Sequence, residues 1–142
     1  MRFWDSSALV PLLVDEPRTR SLEGVLKVDP EMVVWWGAEV ECVSAIARLE
    51  REGRFDSRQV ASALAGLTAL AEIWHEVAPT QPVKQIAKRL LRVHPLRSAD
   101  ALQLAAATVA AEQLTASLPI VSLDGRLVEA ARREGFPVVE PE

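Results

Sequence analysis

The chain has 142 residues, 49% hydrophobic and 25% charged, which excludes a disordered or fibrous polypeptide and predicts one domain over residues 1–142 burying roughly two-thirds of its unfolded surface. With 16 Lys and Arg against 20 Asp and Glu, the net charge of −4 argues against bulk attraction to polyanions, and the single cysteine, Cys42, rules out an internal disulfide or a cysteine zinc cage. No apolar run reaches the roughly 18 residues needed to cross a bilayer, and Asp5 interrupts the N-terminus before a signal sequence develops, so no membrane association and a cytoplasmic location are expected.

Residues 2–4 read as a short strand ending at Asp5. A helix over residues 8–14 follows, with Ser6 or Ser7 as N-cap and Pro11 tolerated in the first turn. A second helix is predicted over residues 18–27, and the apolar run at residues 32–36 suits a strand buried on both faces. Trp35 and Trp36 would then point to opposite faces, each packed in the core. From residue 38 to 52, Val40, Val43, Ile46 and Ala47 recur at helical spacing, with Cys42 as a small buried hydrophobe and Glu41 leaning inward.

Residues 57–76 predict a long helix with Val60, Leu64, Leu67, Leu70, Ala71 and Trp74 as its apolar stripe, and residues 83–93 a shorter one. Ser98 caps an alanine-rich helix reaching about residue 114. Residues 119–123 form a strand, Asp124 opens a helix that Gly135 closes, and residues 137–139 make a last strand placed at an edge by Pro137. Strands alternate with helices and no hairpin signal occurs. The expected fold is therefore α/β, in three layers, with a central, mostly parallel sheet of four to five strands and helices on both faces.

In such a sheet, function gathers where the carboxyl ends of strands lead into helix N-termini. Asp5 follows the first strand and Asp124 the third in the reading above, while Asp100 lies in the first turn of the alanine-rich helix and Glu41 one turn into the helix after the second strand. Each alone is satisfied by a cap or a solvated surface. Together they cannot all remain ionised without a cation, because unit charges about 4 Å apart repel by roughly 4 kcal/mol even at an effective dielectric of about 20. Hard oxygen donors suit Mg²⁺ or Mn²⁺, and the chemistry such a centre supports is phosphodiester hydrolysis. Ser6, Ser7 and Ser122 read as caps and strand residues whose hydroxyls could orient a carboxylate or a water. His75 and His94 read as surface or loop residues. Residues 77–99 contain Lys84, Lys88, Arg89, Arg92 and Arg97 and no acid, which is either a solvated face or a guide for phosphates, with Lys84, Lys88, Arg92 and Arg97 the candidate contacts.

The run Phe3-Trp4-Asp5-Ser6-Ser7-Ala8-Leu9, the pair Glu39 and Glu41 followed by residues 45–53, the stretch from His94 to Ala105 containing Ser98-Ala99-Asp100-Ala101, and Val121-Ser122-Leu123-Asp124 running to Gly135-Phe136 resemble PIN-domain nucleases, closest to the VapC-type toxin ribonucleases. The resemblance spans nearly the whole chain. It implies that Asp5, Glu41, Asp100 and Asp124 form a catalytic, metal-binding acidic site supported by Ser7 and Ser122. It also implies Mg²⁺ or Mn²⁺ as cofactor, RNA as substrate, a homodimer, and an antitoxin partner whose tail enters the groove. Trp35-Trp36-Gly37 departs from the smaller polar residues of many relatives. Two other classes compete with a ribonuclease: a non-catalytic PIN-like module that holds RNA or protein, and a phospho-accepting receiver, which needs a lysine later than Lys88.

Overall fold

Five short strands, all parallel, lie in the order β3-β2-β1-β4-β5 in the computed structural model, which describes residues 1–141. They are β1 (Arg2–Trp4), β2 (Met32–Trp35), β3 (His75–Val77), β4 (Ile120–Val121) and β5 (Val138–Val139). Phe3 pairs with Val33 on one side and with Ile120 on the other, so β1 is central. The chain builds outward from β1 through β2 to β3, then returns to β1's other edge for β4 and β5. The point where the order reverses lies between β1 and β4, the place where a crevice opens in a parallel sheet. Glu142, the last residue of the expected domain, lies outside the described residues.

The strand period of two sorts side chains into two cores. Phe3, Val33, Trp35 and Ile120 pack on one face with α5 (Gln81–Val93), α6 (Ser98–Ala110) and α7 (Gly125–Arg133). Trp4, Met32, Val34 and Val121 pack on the other with α1 (Ser6–Leu13), α2 (Thr19–Val28), α3 (Ala38–Arg51) and α4 (Ser57–Ile73). Three layers result, as the alternation of elements predicted.

Several boundaries differ from the sequence reading for identifiable reasons. Helix α1 begins at Ser6 because Asp5, in extended conformation, stands at the cap position and its carbonyl accepts from the Ala8 and Leu9 N–H groups. Pro11 therefore lies in the second turn rather than the first, where it removes one intrahelical bond. The 57–76 helix ends at Ile73, since Trp74 turns extended and His75 to Val77 form β3, an edge strand with His75 and Glu76 exposed. On α3 the buried positions are Ala38, Cys42 and Ile46, whereas Val40 and Val43 face outward at 69% and 42% exposure. Helix α6 starts at Ser98 with Arg97 as cap and stops at Ala110, because Glu112 and Gln113 take left-handed φ values of 51° and 68°.

Only Trp35 is core: β2 ends there, and Trp36, just beyond the strand, is 53% exposed with its ring edge-on to Trp35 at a centroid separation of 6.3 Å. Gly37 belongs with this pair, since a Cβ there would come within 2.6 Å of the Trp35 indole nitrogen.

His94 is buried, contrary to the surface reading. Its Nε2 stands 2.7 Å from Glu134 Oε2, and the other Glu134 oxygen accepts from Arg89 at 2.8 Å. Burial pushes the Glu134 carboxyl up, but the Arg89 and His94 bonds outweigh it and hold it below the usual glutamate value. A depressed native value means the pair stabilises the fold above the ordinary carboxylate range and loses that contribution as pH falls through the native value. Glu134→Gln is thus expected to cost about 1–3 kcal/mol at neutral pH, because it removes the charge and leaves one accepting oxygen to serve both His94 and Arg89. Denaturant melts should show that difference from the parent shrinking towards acid pH.

Candidate functional site

Asp5 ends the central strand and is 4% exposed. Its side chain makes no cap bond to α1. Instead one oxygen, Oδ2, accepts the Ser7 hydroxyl at 2.5 Å and the Ser122 hydroxyl at 2.8 Å. These two hydroxyls also join β1 to β4: the Leu123 N–H donates to Ser7 Oγ at 2.9 Å and the Asp124 N–H to Ser122 Oγ at 3.1 Å. Burial pushes the Asp5 carboxyl above its usual value against the pull of both serines, and the Asp124 charge pushes it further.

Glu41 sits in the first turn of α3, half-buried, with each oxygen held from a different helix. Ser6 Oγ donates to Oε2 at 2.9 Å and Gln103 Nε2 donates to Oε1 at 3.1 Å. Burial raises the Glu41 carboxyl, Asp5 and Asp100 raise it further, and the two donors only partly offset this. Gln103 is 1% exposed, and its own Oε1 has no hydrogen-bond partner. The sequence reading had missed Gln103; its signal was a polar residue inside the alanine-rich apolar stretch one helical turn after Asp100. Gln103→Leu, which strips one donor from Glu41 and deletes the orphaned acceptor, is expected to keep the fold and weaken Mn²⁺ binding about 10–100-fold by calorimetry.

Asp100 and Asp124 do double duty. Asp124 Oδ1 caps α7 through the Arg126 and Leu127 N–H groups at 2.9 and 3.4 Å, and Asp100 Oδ2 accepts from the Arg97 N–H at 3.3 Å. Capping accounts for one oxygen of each. Beyond it, Asp100 lies within hydrogen-bonding reach of the Asp124 carboxyl, and burial followed by that neighbour raises its pKa. The four acids act on one another's charge, Asp124 raising Asp5 and Asp100, and Asp5 and Asp100 raising Glu41, so they form one electrostatically linked ring. All four sequence candidates are brought together at the switch point.

The donor set fits a hard divalent cation, since mutual repulsion and burial both favour neutralising these oxygens. Among the described residues, no three His, Cys, Asp or Glu side chains stand close enough to ligate a single ion as placed. The ring is pairwise, not a preformed cage. Cys42, against this site, is no ligand: burial first, then Glu41 and Asp5, push its thiol up to about 12.

A crevice of about 410 Å³ opens beside the ring, lined by Arg97, Asp100, Asp124, Gly125 and Arg126. Of the basic candidates, Arg97 lines it; Lys84, Lys88 and Arg92 are exposed along α5 and do not. Arg126 was missed, although its place two residues beyond Asp124 in a helix start carried the signal. A larger cavity of about 660 Å³ lies elsewhere, near Arg2, Arg20 and Val25, and holds none of the four acids.

No protein-family model matches the chain. Ribonuclease VapC47 of Mycobacterium tuberculosis is 31% identical over 145 residues, covering 99% of this chain and 97% of its own. In fold, the chain is similar to VapC20 of Mycobacterium tuberculosis, a sarcin-ricin loop cleaving toxin, at a TM-score of 0.69 and 19% identity over 99% of this chain and 100% of that one. It is also similar to a chain of a toxin–antitoxin complex from Klebsiella pneumoniae, at 0.63 and 17% identity over 100% and 98%. The extent of the match to VapC47, together with the overall structural likeness to these neighbours, means that the chain belongs to the VapC family and has its PIN-like fold.

Proposed function

We propose that the protein is a Mg²⁺- or Mn²⁺-dependent endoribonuclease, the toxin of a toxin–antitoxin pair. The observation that carries this reading is the linked group of four carboxylates at the end of β1, with Asp5 buried and, among the described residues, bonded by serine hydroxyls rather than by a basic side chain. The likeness to a ribonuclease supports RNA as the substrate, and the likeness to a toxin from a toxin–antitoxin complex supports an antitoxin partner.

Asp5, Glu41, Asp100 and Asp124 would hold the cation. A divalent ion bound there polarises a phosphoryl oxygen, helps ionise a water and offsets charge on the leaving oxygen. The protein's own part is positional. Ser7 and Ser122 fix the rotamer of Asp5; Ser6 and Gln103 fix both oxygens of Glu41; Arg97 and Arg126 offer charge-assisted bonds to phosphates on the crevice rim. A second copy of the chain has a place to dock, since Trp36, Val40 and Val43 form an exposed apolar patch at helical spacing at the start of α3.

Labelled RNA incubated with the purified protein should be cut with Mn²⁺ or Mg²⁺ present and left intact in EDTA, and calorimetry should show Mn²⁺ binding to the free protein. Intact RNA together with no Mn²⁺ binding at millimolar metal would select the non-catalytic module instead.

A further inference from the structure

Buried His94, bonded to Glu134 and through it to the exposed Arg89, plays no part in the acid ring, yet it backs a cavity that opens beside it. That cavity has a volume of about 250 Å³, and its lining runs from His94 and Pro95 through Gly125, Arg126, Glu129 and Ala130 to Arg133. Gly125 and Arg126 also line the crevice that holds Asp100 and Asp124, so the two hollows meet at the first turn of α7. The rear wall is fixed: the His94 side chain is 3% exposed and its ring is anchored on Glu134, which Arg89 anchors in turn. At the mouth stand two guanidinium groups, Arg126 and Arg133, the latter paired with Glu129 at 3.1 Å.

Resting on the ribonuclease reading above, we propose that this cavity is a nucleobase subsite, which receives the base flanking the phosphodiester held over the acid crevice and so sets base preference. Its volume falls below the roughly 300–1,000 Å³ of pockets that take drug-sized ligands, which suits a single flat ring system better than a peptide segment. Its walls combine the apolar surface of Pro95 and Ala130 with a ring edge at His94, the pairing of flat apolar contact and hydrogen-bonding groups by which unstacked bases are read. Its mouth sets two guanidinium groups, Arg126 and Arg133, against the one Glu129 carboxylate, and the unpaired positive charge falls at Arg126, on the side where the sugar-phosphate chain would pass towards Asp100 and Asp124, which favours a polyanion.

The chain's two histidines make the test direct, because His75 sits on β3, at the opposite edge of the sheet from β5 and α7, and serves as an internal reference. The four 5′-mononucleotides are titrated in EDTA while both imidazoles are followed by NMR. A saturable shift of His94, larger for some bases than others, with His75 unmoved, is expected; inorganic phosphate alone should leave His94 in place. Ala130→Leu, which fills the cavity, should abolish the shift, raise KM for RNA about tenfold and flatten the cleavage preference at one flanking base, with Mn²⁺ affinity retained. If that variant fails to fold, Arg133→Glu at the mouth should weaken the same shift. No shift with any nucleotide, an equal shift with phosphate, an unchanged base preference in Ala130→Leu, or a His94 shift produced only by an antitoxin tail peptide would overturn the proposal. Because the nucleotide titration needs neither metal nor cleavage, a protein that fails to cut RNA would sink the ribonuclease reading without obscuring this result.

Discussion

Asp5→Asn is expected to lower metal-dependent RNA cleavage by about 10³-fold or more and, in metal-free buffer, to raise thermal stability. The two effects have opposite signs because one carboxylate is in question. As the proposed ligand it would supply charge that an amide lacks. In the absence of a cation it is a liability, since burial and the Asp124 charge raise its native pKa above the ordinary aspartate value of 3.8. A raised native value means the folded state holds more protons than the unfolded chain across that interval, so stability falls as pH climbs through it and the full penalty persists at neutral pH. The amide cannot ionise, and its oxygen can still accept from Ser7 or Ser122. Calorimetric melts should therefore show the gain at neutral pH and its disappearance in acid. Adding Mn²⁺ should reverse the ranking, since a ligand at 100 times its Kd stabilises the parent by about 2.7 kcal/mol and the variant hardly at all. Cleavage at parental rates would remove Asp5 from the chemistry, and a lower melting temperature would show that the serine bonds outweigh burial.

Leu104→Ala should be the most destabilising of the single truncations considered, costing about 2–5 kcal/mol and lowering Tm by roughly 10 °C, as judged by urea and thermal unfolding. Leu104 is fully buried on α6, the helix that also carries Asp100 and Gln103. Ala101, Ala105, Ala106 and Ala107 around it are equally inaccessible and share a core with Ala87 and Leu90 of α5 and with Phe3 and Ile120 of the sheet. Such small residues let helix backbones approach closely and leave little slack for collapse around a void. Cleavage per folded molecule should survive, because no bond to the acid ring passes through Leu104.

The parts legible in the sequence are those governed by local rules. β1, β2, β4 and β5 announced themselves as apolar runs bounded by turn residues, and Asp5, Glu41, Asp100 and Asp124 by their places just after strands or in first helical turns. β3 was hidden because three residues, two of them exposed and polar, carry too little alternation to break the helical stripe that precedes them. Val40 and Val43 misled because they keep helical spacing while lying on the side of α3 away from the sheet. His94 and Gln103 show the tertiary limit: each is polar and buried only because a partner from a distant segment, Glu134 or Glu41, completes it. Whether a carboxylate caps or is spared from capping was equally beyond sequence, since Asp5 and Asp124 occupy the same local position and only Asp124 binds its helix.

One of the two hydroxyls that steady Asp5 belongs to Ser122, 117 positions further along the chain. Translation therefore delivers the pieces of the acid ring in order and the keystone nearly last. A nascent polypeptide halted before β4 has three of its four acids but neither Ser122 nor Asp124, and any harm the finished molecule does to RNA waits until synthesis has passed that point.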